Sequence, residues 1–331
     1  MKQFSYTRAS SPQAAVERAI AQQNSSFIAG GTNLLDRLKA FLDAPSELID
    51  VSRLPLQEIV TTSEGGLKIG AMVSNTAVAN HPQIRRDYPL LSRAILSGAS
   101  QQIRNVATVG GNLLQRTRCP YYYDTAFACN KRQPESGCSA RHGINRMHAI
   151  LGASEKCVAV HPSDMCVALA ALDAVVEVEG ANGQRQFPFP EFHRLPEETP
   201  QYDTHLEAGE LISAVILPPH PAAKTGVYLK LRERTSYAFA LVSVAAAIAL
   251  EGDSIQQARI ALGGVAHKPW RSLEAEAFLV GKSATASHFE QAADIALQDA
   301  QPLSHNGFKV EMSKRAIKRA LTISAQGGGL G

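Results

Sequence analysis

All five cysteines of this chain lie between positions 119 and 166, and no other stretch of its 331 residues contains one. Four of them follow the pattern Cys119-x9-Cys129-x8-Cys138-x18-Cys157, and Cys166 comes soon after. Thiols gathered in one stretch point to a shared ligand. The stretch is basic as well: Arg116, Arg118, Lys131, Arg132, Arg141, Arg146 and Lys156 outnumber Asp124, Glu135 and Glu155. Thiolates are the metal-binding form of cysteine, and nearby cations favour them. Four thiolates on iron make an anionic cluster that a basic collar would partly neutralise, so the segment reads as a [4Fe–4S] centre on Cys119, Cys129, Cys138 and Cys157. Zinc ligands usually come in close pairs such as C-x2-C, and none occurs here. Disulfides need an oxidising compartment, and a chain of this length can build cores without staples. Spacing alone leaves zinc, disulfides and unliganded thiols open beside iron–sulfur. Cys166, in the apolar run Met165–Leu169, reads as a buried small hydrophobe.

Length implies two or three domains, and 45% apolar with 19% charged residues describes an ordinary globular protein. A net charge of +3 is too small to argue for nucleic acid or an anionic membrane. The first residues lack both the apolar core of a signal peptide and twin arginines. The most apolar run, Ala238–Leu250, is too short to span a bilayer and reads as a buried strand or helix. Membrane insertion is therefore not expected.

Three regions follow from the pattern. Residues 1–55 look like a small β-α-β unit, with a strand at Phe4 and Tyr6 and a helix opened by Ser11-Pro12. A buried strand at Ser26–Ala29 comes next. After Gly30–Asn33 a second helix runs through Leu34, Leu35, Leu38 and Leu42 until Pro45 closes it. Residues 56–218 begin with a hairpin turning at Gly65-Gly66 and include another at Asn182-Gly183. The cysteine segment, 115–160, interrupts this region: Pro120, Pro134 and Gly137 break any long helix. Regularity resumes with a helix start at Pro162–Met165. Pro218-Pro219-His220-Pro221 marks a boundary, and 224–325 carries three strands (Val227–Arg232, Ala240–Leu250, Ser254–Leu262) followed by helices that include His288–Asp299 and Val310–Thr322. Residues 326–331 are expected to be disordered.

Two glycine loops share a plan, Phe27-Ile28-Ala29-Gly30-Gly31-Thr32-Asn33-Leu34 and Ala107-Thr108-Val109-Gly110-Gly111-Asn112-Leu113-Leu114. Glycines admit positive φ and leave no Cβ in the way of a ligand. Successive amides can then turn toward one anion. Two such loops could grip a pyrophosphate from two sides. Neither is G-x-G-x-x-G or a P-loop, and each alone could equally be a tight strand-to-helix turn.

The phrases Ala29–Leu34, Gln102–Leu113, His161-Pro162-Ser163-Asp164-Met165 and Ala261–Ala266 resemble the FAD-binding subunit of the xanthine dehydrogenase (molybdenum hydroxylase) family over nearly the whole chain. The cysteine segment, with Gln115–Asp124 and Cys129–Arg132, is similar to the subset of bacterial periplasmic aldehyde oxidoreductases whose flavoprotein carries a [4Fe–4S] cluster. The resemblance implies an α+β fold: two subdomains hold FAD between them, and a C-terminal domain has a three-stranded antiparallel sheet with helices. It implies that FAD contacts Ser26, Phe27, Ile28, Ala29, Gly30, Gly31, Thr32, Asn33 and Leu34 in the first loop, and Thr108, Gly111, Asn112 and Leu114 in the second. It adds Asp164 as a hydrogen-bonding acid, Ile212 as an apolar contact and Lys230 near the ring system. Asn33 departs from a position often acidic in relatives.

The implied role is electron transfer within an oxidoreductase that turns aldehydes into carboxylic acids. Electrons would pass from a molybdenum-cofactor large subunit, through a [2Fe–2S] small subunit, to this chain and then to an external acceptor. Such a heterotrimer would assemble in the cytoplasm and reach the periplasm on a partner's signal. No catalytic acid, base or nucleophile is required of this chain. His142, His148, His161 and His267 read as hydrogen-bonded structural residues.

Overall fold

The computed structural model describes residues 1–328. Three sheets organise the chain. The first joins β1 (Ser5–Arg8), β2 (Ser25–Ile28) and β3 (Glu47–Asp50) in parallel, with β3 at the centre. The helix Pro12–Ala21 connects β1 to β2, capped by Ser11, whose hydroxyl accepts from the Ala14 amide, and with Pro12 at its first position. The helix after the first glycine loop is shorter than its leucine spacing suggests. It covers Leu34–Lys39, because Phe41 takes a left-handed φ of 57° and the Leu42 amide reaches back to the Arg37 carbonyl. That is a helix stop of the Schellman kind, built without glycine.

The second sheet is antiparallel, in the order β4 (Ile59–Thr61), β5 (Leu67–Gly70), β8 (Leu211–Leu217), β6 (Val175–Gly180), β7 (Gly183–Pro188). Both expected hairpins are present, β4–β5 and β6–β7. Between β5 and β6 the chain leaves the sheet to form helices, the second glycine loop and the cysteine segment, then re-enters through the helix Asp164–Ala171. Every residue of that helix is buried. It is packed between the helix Pro89–Ser97 and the third sheet, so it has no solvent face and needs no amphipathic pattern.

The third sheet holds the three expected strands, β9 (Val227–Leu231), β10 (Val242–Glu251) and β11 (Ser254–Gly263), all antiparallel. A two-residue fourth strand, β12 (Trp270–Arg271), was not expected; it returns along β11 opposite Ala261 and Leu262. The apolar run around Ala240–Leu250 is thus a strand buried on both faces. Ala245 and Ala261 pack in the N-terminal core, while Val244, Ala246 and Ile248 join the core under the C-terminal helices. Alanine on the first face lets the buried helix come close. The helices Leu273–Leu279 and Phe308–Ala325 cover the second face, and Ala286–Ala296 packs on both of them. Gln326–Gly328 close the last helix, and the Gly328 carbonyl accepts from Arg93 Nη1 at 2.7 Å. The rest of the tail expected to be disordered, residues 329–331, lies outside the described residues. Among the described residues no helix is long and apolar enough to cross a membrane.

Candidate functional site

The first glycine loop leaves β2 and enters its helix with four amides in a row, Gly30 to Asn33, that find no hydrogen-bond partner among the described residues. Buried or half-buried amides are normally paired, and a row of them without protein partners is suited to receive an anion. Gly31 has φ 68°, which turns the row inward. Gly30 touches the other loop: a Cβ there would stand 2.2 Å from the Val106 carbonyl oxygen.

The second loop is built differently. Thr108 caps the short helix Val109–Leu113, its Oγ1 accepting from the Gly111 amide at 3.2 Å. The Gly110 amide donates to the Ala71 carbonyl and the Val109 amide to Val73. Its amides are therefore occupied, and the expected pair of matching backbone grips is a single grip facing a capped turn. What this loop offers is side chains. Asn112 Oδ1 accepts from Ser163 Oγ at 2.5 Å and from Gln115 Nε2 at 2.9 Å. Asn33 is used similarly: its Oδ1 accepts from the Arg116 amide at 2.9 Å.

Between the loops lies a cavity of about 1050 Å³, at the upper end for small-molecule and cofactor sites. Ser26 through Leu34, Thr108, Gly111, Asn112, Leu114, Asp164, Ile212 and Lys230 all line it. Residues far apart in sequence thus meet on one surface. Asp164 opens its helix just after the cap Ser163 and is 9% exposed. Its two oxygens accept from Tyr228 Oη at 2.6 Å and Lys230 Nζ at 2.7 Å. Lys230 is therefore a buried partner of Asp164. Burial and the adjacent carboxylate push the Tyr228 phenol well above its ordinary range, so it stays a donor. Sequence reasoning missed the far wall, Gln201–Thr204 and Tyr237–Phe239. The local signal there is three aromatics, Tyr202, Tyr237 and Phe239, of which the structure holds Tyr237 at φ 51°.

The cysteine segment is turns and short helix, as its prolines predict. Asn130 closes it: its Oδ1 accepts from the Gly137 amide at 2.8 Å and its Nδ2 donates to the Lys156 carbonyl at 2.9 Å. Backbone bonds from the Asn130 amide to Gly137 and from the Ser139 amide to Ala128 set Cys129 and Cys138 opposite each other in an isolated bridge, and the bond to Lys156 ties in the residue before Cys157. Burial raises Cys119 to about 12, with Cys157 and Cys129 adding to the effect. Burial likewise raises Cys157 to about 11, opposed by Lys131 and helped by Cys138 and Cys129. The four thiols are thus neighbours, all free. Among the described residues no three of them lie within 4.8 Å of one another. Sulfurs on a single tetrahedral zinc with bonds of ~2.3 Å would stand roughly 3.8 Å apart. As they stand, the thiols are set wider than the four ligands of a single zinc ion.

The basic collar is largely spent on ion pairs. Lys131, nearly fully buried, and Arg116 both hold Asp203, at 2.5 and 2.7 Å. Burial alone would raise the Asp203 carboxyl; the two cations outweigh it and hold it well below the usual range. Arg141 pairs with Glu155 and Arg146 with Glu233. Since Asp203 and Arg116 also line the cavity, this ion triplet ties the cysteine segment to the cavity wall.

A buried trio, His161, Cys166 and His193, is compact enough to hold an ion. The hydrogen bonds argue otherwise. His193 keeps a free Nδ1 because its Nε2 donates to the Leu113 carbonyl at 2.9 Å, but His161 Nδ1 accepts from the Ser163 amide at 3.3 Å. The latter bond leaves the His161 proton on Nε2, where a ligand would need a lone pair. Cys166 is fully buried, and burial raises its thiol to about 12. It behaves as the small hydrophobe its sequence setting suggests.

Comparison with known proteins agrees with this geometry. Residues 2–220 match the family model described as the FAD binding domain in molybdopterin dehydrogenase, and residues 227–323 match the CO dehydrogenase flavoprotein C-terminal domain. The chain is 50% identical to the aldehyde oxidoreductase FAD-binding subunit PaoB of Escherichia coli (strain K12), over 97% of this chain and 98% of that one. It is 28% identical to the glyceraldehyde dehydrogenase medium chain of Sulfolobus acidocaldarius, over 98% and 97%. Among solved structures, quinoline 2-oxidoreductase from Pseudomonas putida 86 superposes with a TM-score of 0.77 at 26% identity, covering 99% of both chains. The chain belongs to the FAD-binding subunits of the molybdenum hydroxylase (xanthine dehydrogenase) family, and it is an oxidoreductase subunit.

Proposed function

We propose that this chain is the electron-transfer subunit of a molybdenum-dependent aldehyde oxidoreductase, carrying FAD in the cavity and one [4Fe–4S] cluster on Cys119, Cys129, Cys138 and Cys157. The observation that carries the reading is adjacency. Arg118 lines the cavity and Cys119 is the next residue, so the four-thiol segment opens directly off the flavin wall. The 50% identity to an aldehyde oxidoreductase subunit supports the aldehyde as substrate class.

In this reading the free amides of Gly30–Asn33 hold the pyrophosphate. Ser26–Ala29 and Leu34 line its path, while Thr108, Gly111, Asn112 and Leu114 flank the cofactor from the second loop. Asp164 accepts a hydrogen bond from FAD or positions Lys230 toward it, and Ile212 makes an apolar contact. FAD, when bound, links one-electron arrivals to the acceptor's demand. The chain's own residues bind, orient and exclude water; none needs to move a proton of the aldehyde. The aldehyde is oxidised elsewhere, on a molybdenum-bearing large subunit, and a [2Fe–2S] small subunit relays electrons here, making a heterotrimer. Folding around these cofactors takes place in the cytoplasm, followed by export of the folded complex to the periplasm on a partner's signal.

The test is a visible spectrum with iron and sulfide analysis of the purified chain. Flavin bands, a broad brown shoulder and about four irons per chain are expected. Cys129→Ser should remove the shoulder and most of the iron while much of the flavin stays. A yellow, iron-free wild-type protein purified without oxygen would refute the cluster.

A further inference from the structure

His148 has no part in the reading above, yet its ring is buried inside the cysteine segment with Nε2 3.1 Å from Cys119 Sγ. At the other edge of the ring Nδ1 is buried and has no partner among the described residues. These two facts fix the proton. A metal-bound thiolate only accepts hydrogen bonds. A proton on Nδ1 would bury an N–H without an acceptor and set the Nε2 lone pair against the sulfur, and both arrangements are costly. A proton on Nε2 satisfies the sulfur.

The ring does not choose this position by itself. The His148 amide donates to the Asn145 carbonyl at 3.0 Å. Its own carbonyl accepts from Lys309 Nζ at 3.0 Å and Asn306 Nδ2 at 3.1 Å. Both donors are wholly buried, and Lys309 lies in the first turn of the long C-terminal helix. The C-terminal domain therefore reaches across and holds His148 against the cysteine.

We infer that His148 is a positioning and tuning residue: Nε2–H donates to Cys119 Sγ and favours the reduced state of the cluster. This rests on the iron–sulfur reading above. One electron entering the cluster adds one negative charge and no proton. A donor aimed at a ligand sulfur stabilises that charge, so the potential rises. Cys119 is the sulfur next in sequence to the cavity wall at Arg118, so the effect falls on the flavin side.

Anaerobic redox titration of the full chain with its cofactors, following the EPR signal of the reduced cluster, tests this. His148→Phe keeps ring bulk and loses the donor; His148→Gln restores an N–H. The phenylalanine variant should be harder to reduce by about tenfold in the equilibrium, ~59 mV for one electron, with iron and sulfide at wild-type content. The glutamine variant should recover part of the shift. An unchanged potential in His148→Phe at full iron content overturns the inference, as does an equal shift in both variants. Should His148→Phe lose its iron, nitrogen hyperfine coupling in the wild-type reduced cluster decides. Coupling to a 15N-labelled histidine ring is expected, and its absence overturns the inference. A wild-type chain without iron sinks the parent reading instead.

Discussion

The sharpest constraint at the scale of single residues is Gly30. Its φ is ordinary, so left-handed freedom is not why glycine is needed there; space is. The Val106 carbonyl stands where a Cβ would go, at 2.2 Å, and backbone cannot swing aside as a side chain can. Gly30→Ala should therefore part the two loops, at a cost of ~1–3 kcal/mol for the overpacking. The row of free amides would move away from the capped turn opposite. We expect the purified variant to lose most of its FAD, read from its absorbance ratio, and to melt at a lower temperature; full flavin occupancy would show that the loops need not touch. The sequence marks Gly30 and Gly31 as a pair, but it cannot say that one is there for contact and the other, at φ 68°, for conformation. That distinction depends on Val106, brought in by tertiary packing alone. Likewise, nothing local separates His148, aimed at a thiol, from His142.

Among the elements, the helix Asp164–Ala171 does two jobs through one cap. Ser163 Oγ accepts from the Cys166 amide at 3.0 Å and donates to Asn112 Oδ1 at 2.5 Å. The helix start was legible because Pro-Ser-Asp is a strong local signal. Its link to the second glycine loop was not, because that bond spans the whole cysteine segment. Ser163→Ala should cost ~1 kcal/mol for the lost cap and leave Asn112 free to turn. A fall in melting temperature accompanied by weaker FAD binding, measured by fluorescence titration, is expected. A variant that melts lower but binds FAD as the wild type does would confine Ser163 to capping. The cysteine segment shows the opposite balance. Its breaks were legible from proline and glycine, whereas its closure by Asn130, reaching both Gly137 and Lys156, had no signature beyond an asparagine beside a cysteine.

The whole molecule is three sheets, and the hydrophobic pattern marked the three long strands of the third but not its two-residue β12. What the pattern could not supply is the polar seam between them, because buried charge and imidazole leave no period in a sequence. That seam carries a pH dependence. Burial lowers His193, His220 and His267 to about 4, with Lys131 reinforcing the effect at His267. In the unfolded chain each titrates near its ordinary value of 6.5. Between about 6.5 and 4 the unfolded state thus binds more protons than the folded one, and stability must fall as pH falls through that window. For a fully buried histidine the loss accumulates to on the order of 3 kcal/mol by pH 4. His267 is the member to test. Its Nδ1 donates to the Arg194 carbonyl at 2.8 Å, and Nε2 lies 3.6 Å from Asp203. His267→Gln keeps a donor but cannot charge. Melting temperatures of wild type and His267→Gln, measured from pH 7 to pH 5, should diverge, the variant losing less on acidification. Acid lability of bound cofactors would lower both curves together, so it is the difference in slope that reads the histidine. Parallel curves would mean that His267 is free to protonate in the folded chain, and that the seam around Asp203 is wetter than its burial implies.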